Sequence, residues 1–171
     1  MSDTLRLFFA LPVPPAQARK ILSWRQQLSC SGNWVHGHDL HLTLAFLGQQ
    51  PAARLVDLQV VARQISRCSS FELHLDRLNI WSDGLLHLAP SCPPAHLLQL
   101  QQDLAEQLQQ LGFALEQPTY RPHLTLARHA TWPSTTPELG FRWRVDRFAL
   151  FTSKSVTIGP RYQQIGTWQL V

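Results

Sequence analysis

His41-Leu42-Thr43-Leu44-Ala45 and His123-Leu124-Thr125-Leu126-Ala127 are one pentapeptide written twice, 82 residues apart in a chain of 171. Five consecutive identities that include histidine are improbable from composition, even in a leucine-rich chain, and the spacing is close to half the length. We read the pair as the trace of an internal duplication. Each copy reads as a strand and follows a segment of helical periodicity. Side chains alternate between the faces of a strand. Histidine and threonine therefore point the same way, ~6.5–7 Å apart, while the leucines point the other way into a core. Two pseudo-symmetric lobes would bring the two His–Thr pairs to one groove.

That arrangement suits concerted acid–base chemistry. One neutral imidazole takes a proton from a nucleophile and a protonated one gives a proton to a leaving group. Histidine supplies both forms near neutrality because its unperturbed pKa is about 6.5. The hydroxyls of Thr43 and Thr125 can donate to non-bridging phosphate oxygens and hold the charge that builds there. A single His-x-Thr is unremarkable as the wet face of a strand. The repetition is what points to His41, His123, Thr43 and Thr125 as the catalytic set.

Working outward, Leu5, Leu7, Phe9 and Leu11 alternate as a first strand. Pro14-Pro15 opens a helix to about Leu28, Pro51 to about Arg67 forms a second, and Pro93 to Leu111 a third, stopped by Gly112. The first copy lies on a strand from Leu40 to Leu47 ended by Gly48, and the second on a strand from Tyr120 to Ala127. Phe71 to Leu75 alternates. Ser82-Asp83-Gly84 turns a hairpin between the runs ending at Trp81 and starting at Leu85. Phe141 to Val145, Phe148 to Thr152 and Tyr162 to Leu170 read as the closing strands, and Thr131 to Pro137 as a loop, not a linker. Three helices and seven to nine strands in mixed order predict a single α+β domain over residues 1–171.

Composition narrows the chemistry. Apolar residues are 44% and charged residues 15%, enough for a buried core. No run of 18 apolar residues exists to span a membrane, and Leu5 to Val13 contains Arg6 and lacks a basic stretch ahead of it, as a strand would and a signal peptide would not. Cys30, Cys68 and Cys92 share no CxxC spacing, which points to a reducing compartment and away from disulfides or a cysteine zinc site. Of the 15 basic residues only Lys20 and Lys154 are lysines. The arginine fork matches phosphate oxygens, so the bias favours phosphate or nucleic-acid partners. The cluster His36-Gly37-His38-Asp39-Leu40-His41 resembles a metal site in composition only; it reads as a turn beside one catalytic histidine, and no HExxH helix accompanies it. His74 and His87 read as surface-facing strand residues, His96 as a helix start, and His129 as a surface residue trailing the second copy. No P-loop, GxGxxG, GxSxG or Cys–His pattern supports triphosphate hydrolysis or covalent catalysis.

With these residues in view, the chain resembles the two-histidine phosphoesterase superfamily, and more narrowly the bacterial RNA 2′,3′-cyclic phosphodiesterase family, also called 2′-5′ RNA ligase. The resemblance rests on RLFFALPVP (Arg6 to Pro14), LHLTLAFLG (Leu40 to Gly48), RPHLTLARHA (Arg121 to Ala130) and the closing run Leu150 to Leu170. It implies a bilobal fold of two intertwined lobes with two antiparallel sheets around a central cleft and helices outside. It also implies metal-free, cofactor-free hydrolysis of an RNA 2′,3′-cyclic phosphate to a 2′-phosphate. His41 is then the general acid on the 3′-oxygen and His123 the general base on water, although the pseudo-symmetry leaves the roles exchangeable on residues alone. The resemblance further implies weak ATP-independent 2′-5′ ligation, the same chemistry with a 5′-hydroxyl in place of water.

The resemblance makes Arg128 a phosphate contact. Simple alternation opposes this, because Arg128 stands three residues beyond Thr125 and falls on the other face unless the strand bulges. Phe9, Tyr120 and Tyr162 are candidates to stack on a base, with packing in a core as the competing reading. The expected partners are RNA ends or nucleotides bearing a 2′,3′-cyclic phosphate, with no membrane and no obligate protein partner, the chain acting as a cytoplasmic monomer. Two other readings remain: a smaller substrate such as an ADP-ribose cyclic phosphate or a 2′,5′-linked oligonucleotide, or a non-catalytic RNA- or nucleotide-binding module.

Overall fold

The structure, a computed structural model, describes residues 3–116 and 119–171. Strand β1 (Thr4–Pro12) leads to helix α1 (Pro15–Arg25) and the two-residue strand β2 (Asn33–Trp34). Strand β3 (His41–Pro51) carries the first pentapeptide and is followed by α2 (Leu55–Ile65). Strands β4 (Phe71–Leu75), β5 (Arg77–Ile80) and β6 (Leu86–Ala89) precede α3 (Ala95–Gln110). The second copy enters β7 (Leu124–Arg128), and β8 (Phe141–Val145), β9 (Arg147–Ser153) and β10 (Tyr162–Gln169) complete the chain. The class is α+β, as the mixed order of helices and strands predicted, with the two antiparallel sheets that the resemblance implied.

The larger sheet runs β10-β9-β1-β3-β7-β6-β5, with β2 added on β7; the smaller pairs β4 with β8. Strands β3 and β7, the two that carry the repeated pentapeptide, lie side by side at its middle. They are joined at Leu42 opposite Leu124, and both leucines are fully buried. β9 and β1 flank one copy, β6 and β5 the other. This is the order a duplication about the Leu42–Leu124 pair generates.

The helices close the core by the spacing of their apolar residues. α3 buries Leu97, Leu100, Leu104 and Leu108 completely, and α2 buries Leu58, Val61, Ala62 and Ile65. Each such leucine contributes ~1.5–3 kcal/mol by leaving water. Gly112, at φ 80°, terminates α3 as expected: its N–H reaches the Gln109 carbonyl and the Phe113 N–H reaches Leu108, a pattern that needs a left-handed residue.

Some boundaries differ from the sequence reading. α1 stops at Arg25, not Leu28. β3 does not end at Gly48; that residue, at φ 67°, kinks the strand where its pairing with β1 slips by one, and pairing continues to Pro51. β7 starts at Leu124, not Tyr120, because Pro122 has no N–H to give to a ladder. Among the described residues, no helix is long and apolar enough to cross a membrane.

Candidate functional site

The antiparallel pairing of Leu42 with Leu124 sets Thr43 alongside His123 and His41 alongside Thr125 on the adjoining strands. All four side chains line one cleft of about 440 Å³, together with Arg128 and Tyr120. Residues from opposite halves of the chain therefore meet because two central strands share one sheet.

Each imidazole is oriented by the same local device. His41 Nδ1–H donates to the Asp39 carbonyl at 2.6 Å, and His123 Nδ1–H donates to the Arg121 carbonyl at 2.8 Å. A carbonyl can only accept, so Nδ1 holds the fixed proton in both rings and Nε2 is the exchangeable position. His41 Nε2 lies 3.0 Å from the Thr43 hydroxyl of its own copy.

Arg128 reaches the cleft through a bulge. Along β6 and β7, Leu86 pairs with Ala127 but His87 pairs with Thr125, so Leu126 is an extra residue on β7. The insertion inverts the alternation and returns Arg128 to the face of Thr125. The first copy repeats this: Phe9 pairs with Ala45 and Ala10 with Thr43, leaving Leu44 extra. Phe46, the counterpart of Arg128, thus also faces the cleft. Both extra leucines are buried at 2% exposure or less, so the fourth residue of each pentapeptide is the point where the strand changes face.

Phe9 is not at the site. It is fully buried and packs on Phe148 and Trp168 at ring distances of 6.1 Å. Its neighbour Phe8 takes the cleft side, with its ring 5.0 Å from His41, 5.3 Å from Phe151 and 4.9 Å from Tyr162. The alternation of Leu7, Phe9 and Leu11 already assigned Phe9 to the apolar face; that signal outranked composition. Tyr120 lines the cleft, and its hydroxyl donates to the Thr43 carbonyl at 3.0 Å, tying the lead-in of the second copy to the first. Burial pushes its pKa up, so this donor keeps its proton. Tyr162 stands edge-on to His41, ring centroids 5.1 Å apart.

His87 does not face solvent. It is 2% exposed, its Nδ1–H donates to the Leu85 carbonyl at 3.0 Å, and its ring lies 5.5 Å from His123 and 4.5 Å from Trp81. Trp81 itself sits 4.6 Å from His123. β6 is covered on both faces where it pairs with the bulged β7, which alternation within β6 alone could not disclose.

Asp39 lies in the expected turn, a short 3₁₀ segment, but its carboxylate is buried at 4% exposure. It accepts the backbone N–H groups of Arg161 at 2.8 Å and Tyr162 at 3.1 Å. Its position two residues before a catalytic candidate is the only hint the sequence held. His36 Nδ1 accepts from the His38 backbone, and among the described residues no group of three His, Cys, Asp or Glu is placed to hold a metal ion.

The electrostatics differ between the two rings. Burial pushes the His41 pKa below the usual histidine value; the bond to the Asp39 carbonyl and the Asp39 charge oppose this, while His123 and Arg128 add to it. Burial also lowers His123, opposed by the Arg121 carbonyl and reinforced by His87 and Arg128. Only His41 has a carboxylate favouring its charged form.

A sequence profile of the 2′-5′ RNA ligase superfamily matches residues 12–157. The Escherichia coli (strain K12) protein named RNA 2′,3′-cyclic phosphodiesterase is 34% identical over 175 residues, covering 99% of each chain. The Bacillus subtilis (strain 168) protein of the same name is 29% identical, covering 95% of each. Among solved structures, E. coli LigT complexed with 3′-AMP superposes with a TM-score of 0.90 at 33% identity, covering 98% of this chain and 99% of that one.

Proposed function

The chain belongs to the 2′-5′ RNA ligase superfamily, and from that premise we propose that it is an RNA 2′,3′-cyclic phosphodiesterase that opens the cyclic ester to a 2′-phosphomonoester by paired-histidine catalysis. The observation that carries this reading is the meeting of two Nδ1-anchored imidazoles, each with its threonine, in one arginine-bearing cleft. His123 Nε2 takes a proton from water as the water oxygen bonds to phosphorus. The P–O3′ bond breaks, and His41 Nε2 gives its proton to O3′. The Thr43 and Thr125 hydroxyls and Arg128 bind the non-bridging oxygens, where charge develops. The Asp39 carboxylate beside His41 supports its role as acid, and His87 beside His123 supports its role as base; Arg128 lowers both. With a 5′-hydroxyl in place of water, the same step forms P–O5′ as P–O3′ breaks and gives weak ATP-independent 2′-5′ ligation.

In this reading the chain is one domain of two intertwined lobes, each contributing one pentapeptide. It acts as a cytoplasmic monomer on RNA ends and needs no cofactor.

Phosphorus NMR of the product from a nucleoside 2′,3′-cyclic phosphate tests the proposal. A 2′-monophosphate is expected, with the rate unchanged by EDTA. A 3′-monophosphate contradicts the regiochemistry, and an EDTA loss restored by zinc contradicts the metal-free mechanism.

The pH profile follows from the shifts. The base must be neutral and the acid protonated, so kcat/KM is bell-shaped and reports both groups of the free enzyme. Both pKa values are held below the ordinary histidine value, so the maximum of kcat/KM is expected below about pH 6.5. A plateau extending above neutrality would contradict paired imidazoles lowered by burial.

A further inference from the structure

The two copies differ in one way the mechanism leaves unused. The second ends its cleft-facing row in Arg128, whereas the first ends in Phe46, delivered there by an equivalent bulge. An arginine nevertheless stands at that place. The Arg6 guanidinium, from neighbouring strand β1, lies 4.8 Å over the Phe46 ring, and both residues line the cleft. The ring holds the guanidinium by its negative face without neutralising it.

The charge is free for a ligand. The ion pairs among the described residues involve Arg54, Arg142 and Arg147, not Arg6 or Arg128. Asp83 and Glu116 line the cleft, but neither lies within 4.0 Å of these two guanidinium groups. Arg6, Arg121 and Arg128 all line the cleft outside these ion pairs, more guanidinium groups than one reacting phosphate needs, and of the three Arg6 is the one seated on an aromatic ring of the first copy. Arg6 also sits one same-face step, ~6.5–7 Å, along β1 from Phe8, whose ring lies tilted 5.0 Å from that of His41. A step of that order separates successive phosphates of an extended RNA strand.

We infer that Arg6, seated on Phe46, binds the phosphodiester that precedes the terminal cyclic phosphate, so that the cleft selects an RNA end of two or more nucleotides over a mononucleotide. The inference rests on the proposed phosphodiesterase activity and names its substrate class. Arg6 acts on binding and takes no part in the proton transfers. The planar fork suits a phosphodiester bearing two non-bridging oxygens, which lysine would meet only as a point charge.

The test compares kcat/KM on adenosine 2′,3′-cyclic phosphate, on a dinucleotide ending in the same cyclic phosphate, and on that dinucleotide with a neutral methylphosphonate linkage. The charged dinucleotide is expected to be preferred. Arg6→Gln should lose about tenfold more on it than on the mononucleotide, mainly in KM, since one charge-assisted contact is removed. Arg6→Lys should restore part of the loss. The variant's salt dependence on the dinucleotide should be weaker than the wild type's, as one ionic contact open to screening disappears. The methylphosphonate should erase the difference between variant and wild type.

Equal losses on all three substrates, or no loss on the charged dinucleotide, would overturn the assignment while leaving the phosphodiesterase reading intact. A wild-type enzyme that opens none of the three would overturn that reading and the inference with it.

Discussion

Alanine at His41 or at His123 is expected to lower kcat by about 10²–10⁴-fold, since in the proposed mechanism each removes one proton transfer from the transition state. KM changes little, because the cleft retains Thr43, Thr125, Arg128 and its aromatic wall. The two substitutions are not additive. A base without its acid partner still faces a poor leaving group, and an acid without its base awaits an unactivated water. The double variant should thus fall only modestly below the worse single variant. Steady-state rates on a nucleoside cyclic phosphate, with circular dichroism to confirm folding, decide the matter. Near-normal turnover in either single variant would falsify the paired mechanism.

The second large effect falls on stability. Alanine at Asp39 leaves the Arg161 and Tyr162 amides without their carboxylate acceptor at a buried position. Hydrogen bonds to an ionised group contribute ~1.5–3 kcal/mol each, and the freed N–H groups recover part of this from water, so a net loss of about 2–4 kcal/mol is expected in urea melts. Asparagine keeps one acceptor oxygen and should lose less than half as much. The bond orienting His41 uses the Asp39 backbone carbonyl and survives both changes. The start of β10 does not, so Tyr162 should leave its edge-on contact with His41 and turnover should fall with stability. A stability change under about 1 kcal/mol would show that water replaces the carboxylate without cost.

How far the site could be read in advance depended on where each residue's information lay. His41, Thr43, His123 and Thr125 were legible because the pentapeptide is repeated and the two-residue period of a strand is local. The core faces of α2 and α3 were legible for the same reason, since Leu58, Ala62 and Ile65, or Leu97, Leu100, Leu104 and Leu108, recur at helical spacing. Phe9 was misplaced although the same alternation assigned it to the core with Leu7 and Leu11. An aromatic ring near the repeat is a candidate base platform by type alone, but the phase of the strand puts Phe8, not Phe9, on the cleft side.

Arg128 and His87 were beyond local rules. Whether Arg128 faces the cleft depends on Leu126 being skipped by β6, a property of the pairing and not of either strand. His87 is dry because Trp81 and the second copy cover it. Asp39 finds its partners more than 120 residues away, and Arg6 its seat on a ring 40 residues on.

The amino-acid order by itself determined the class of fold, the duplicated His–Thr rows and the bias of arginine over lysine, since periodicity, repetition and composition are properties a linear string possesses. Tertiary structure alone decided which residues reach the cleft beyond those rows. A bulge moves a side chain to the other face of a sheet only through the strand it pairs with, and a buried carboxylate or stacked guanidinium is defined by neighbours distant in the chain.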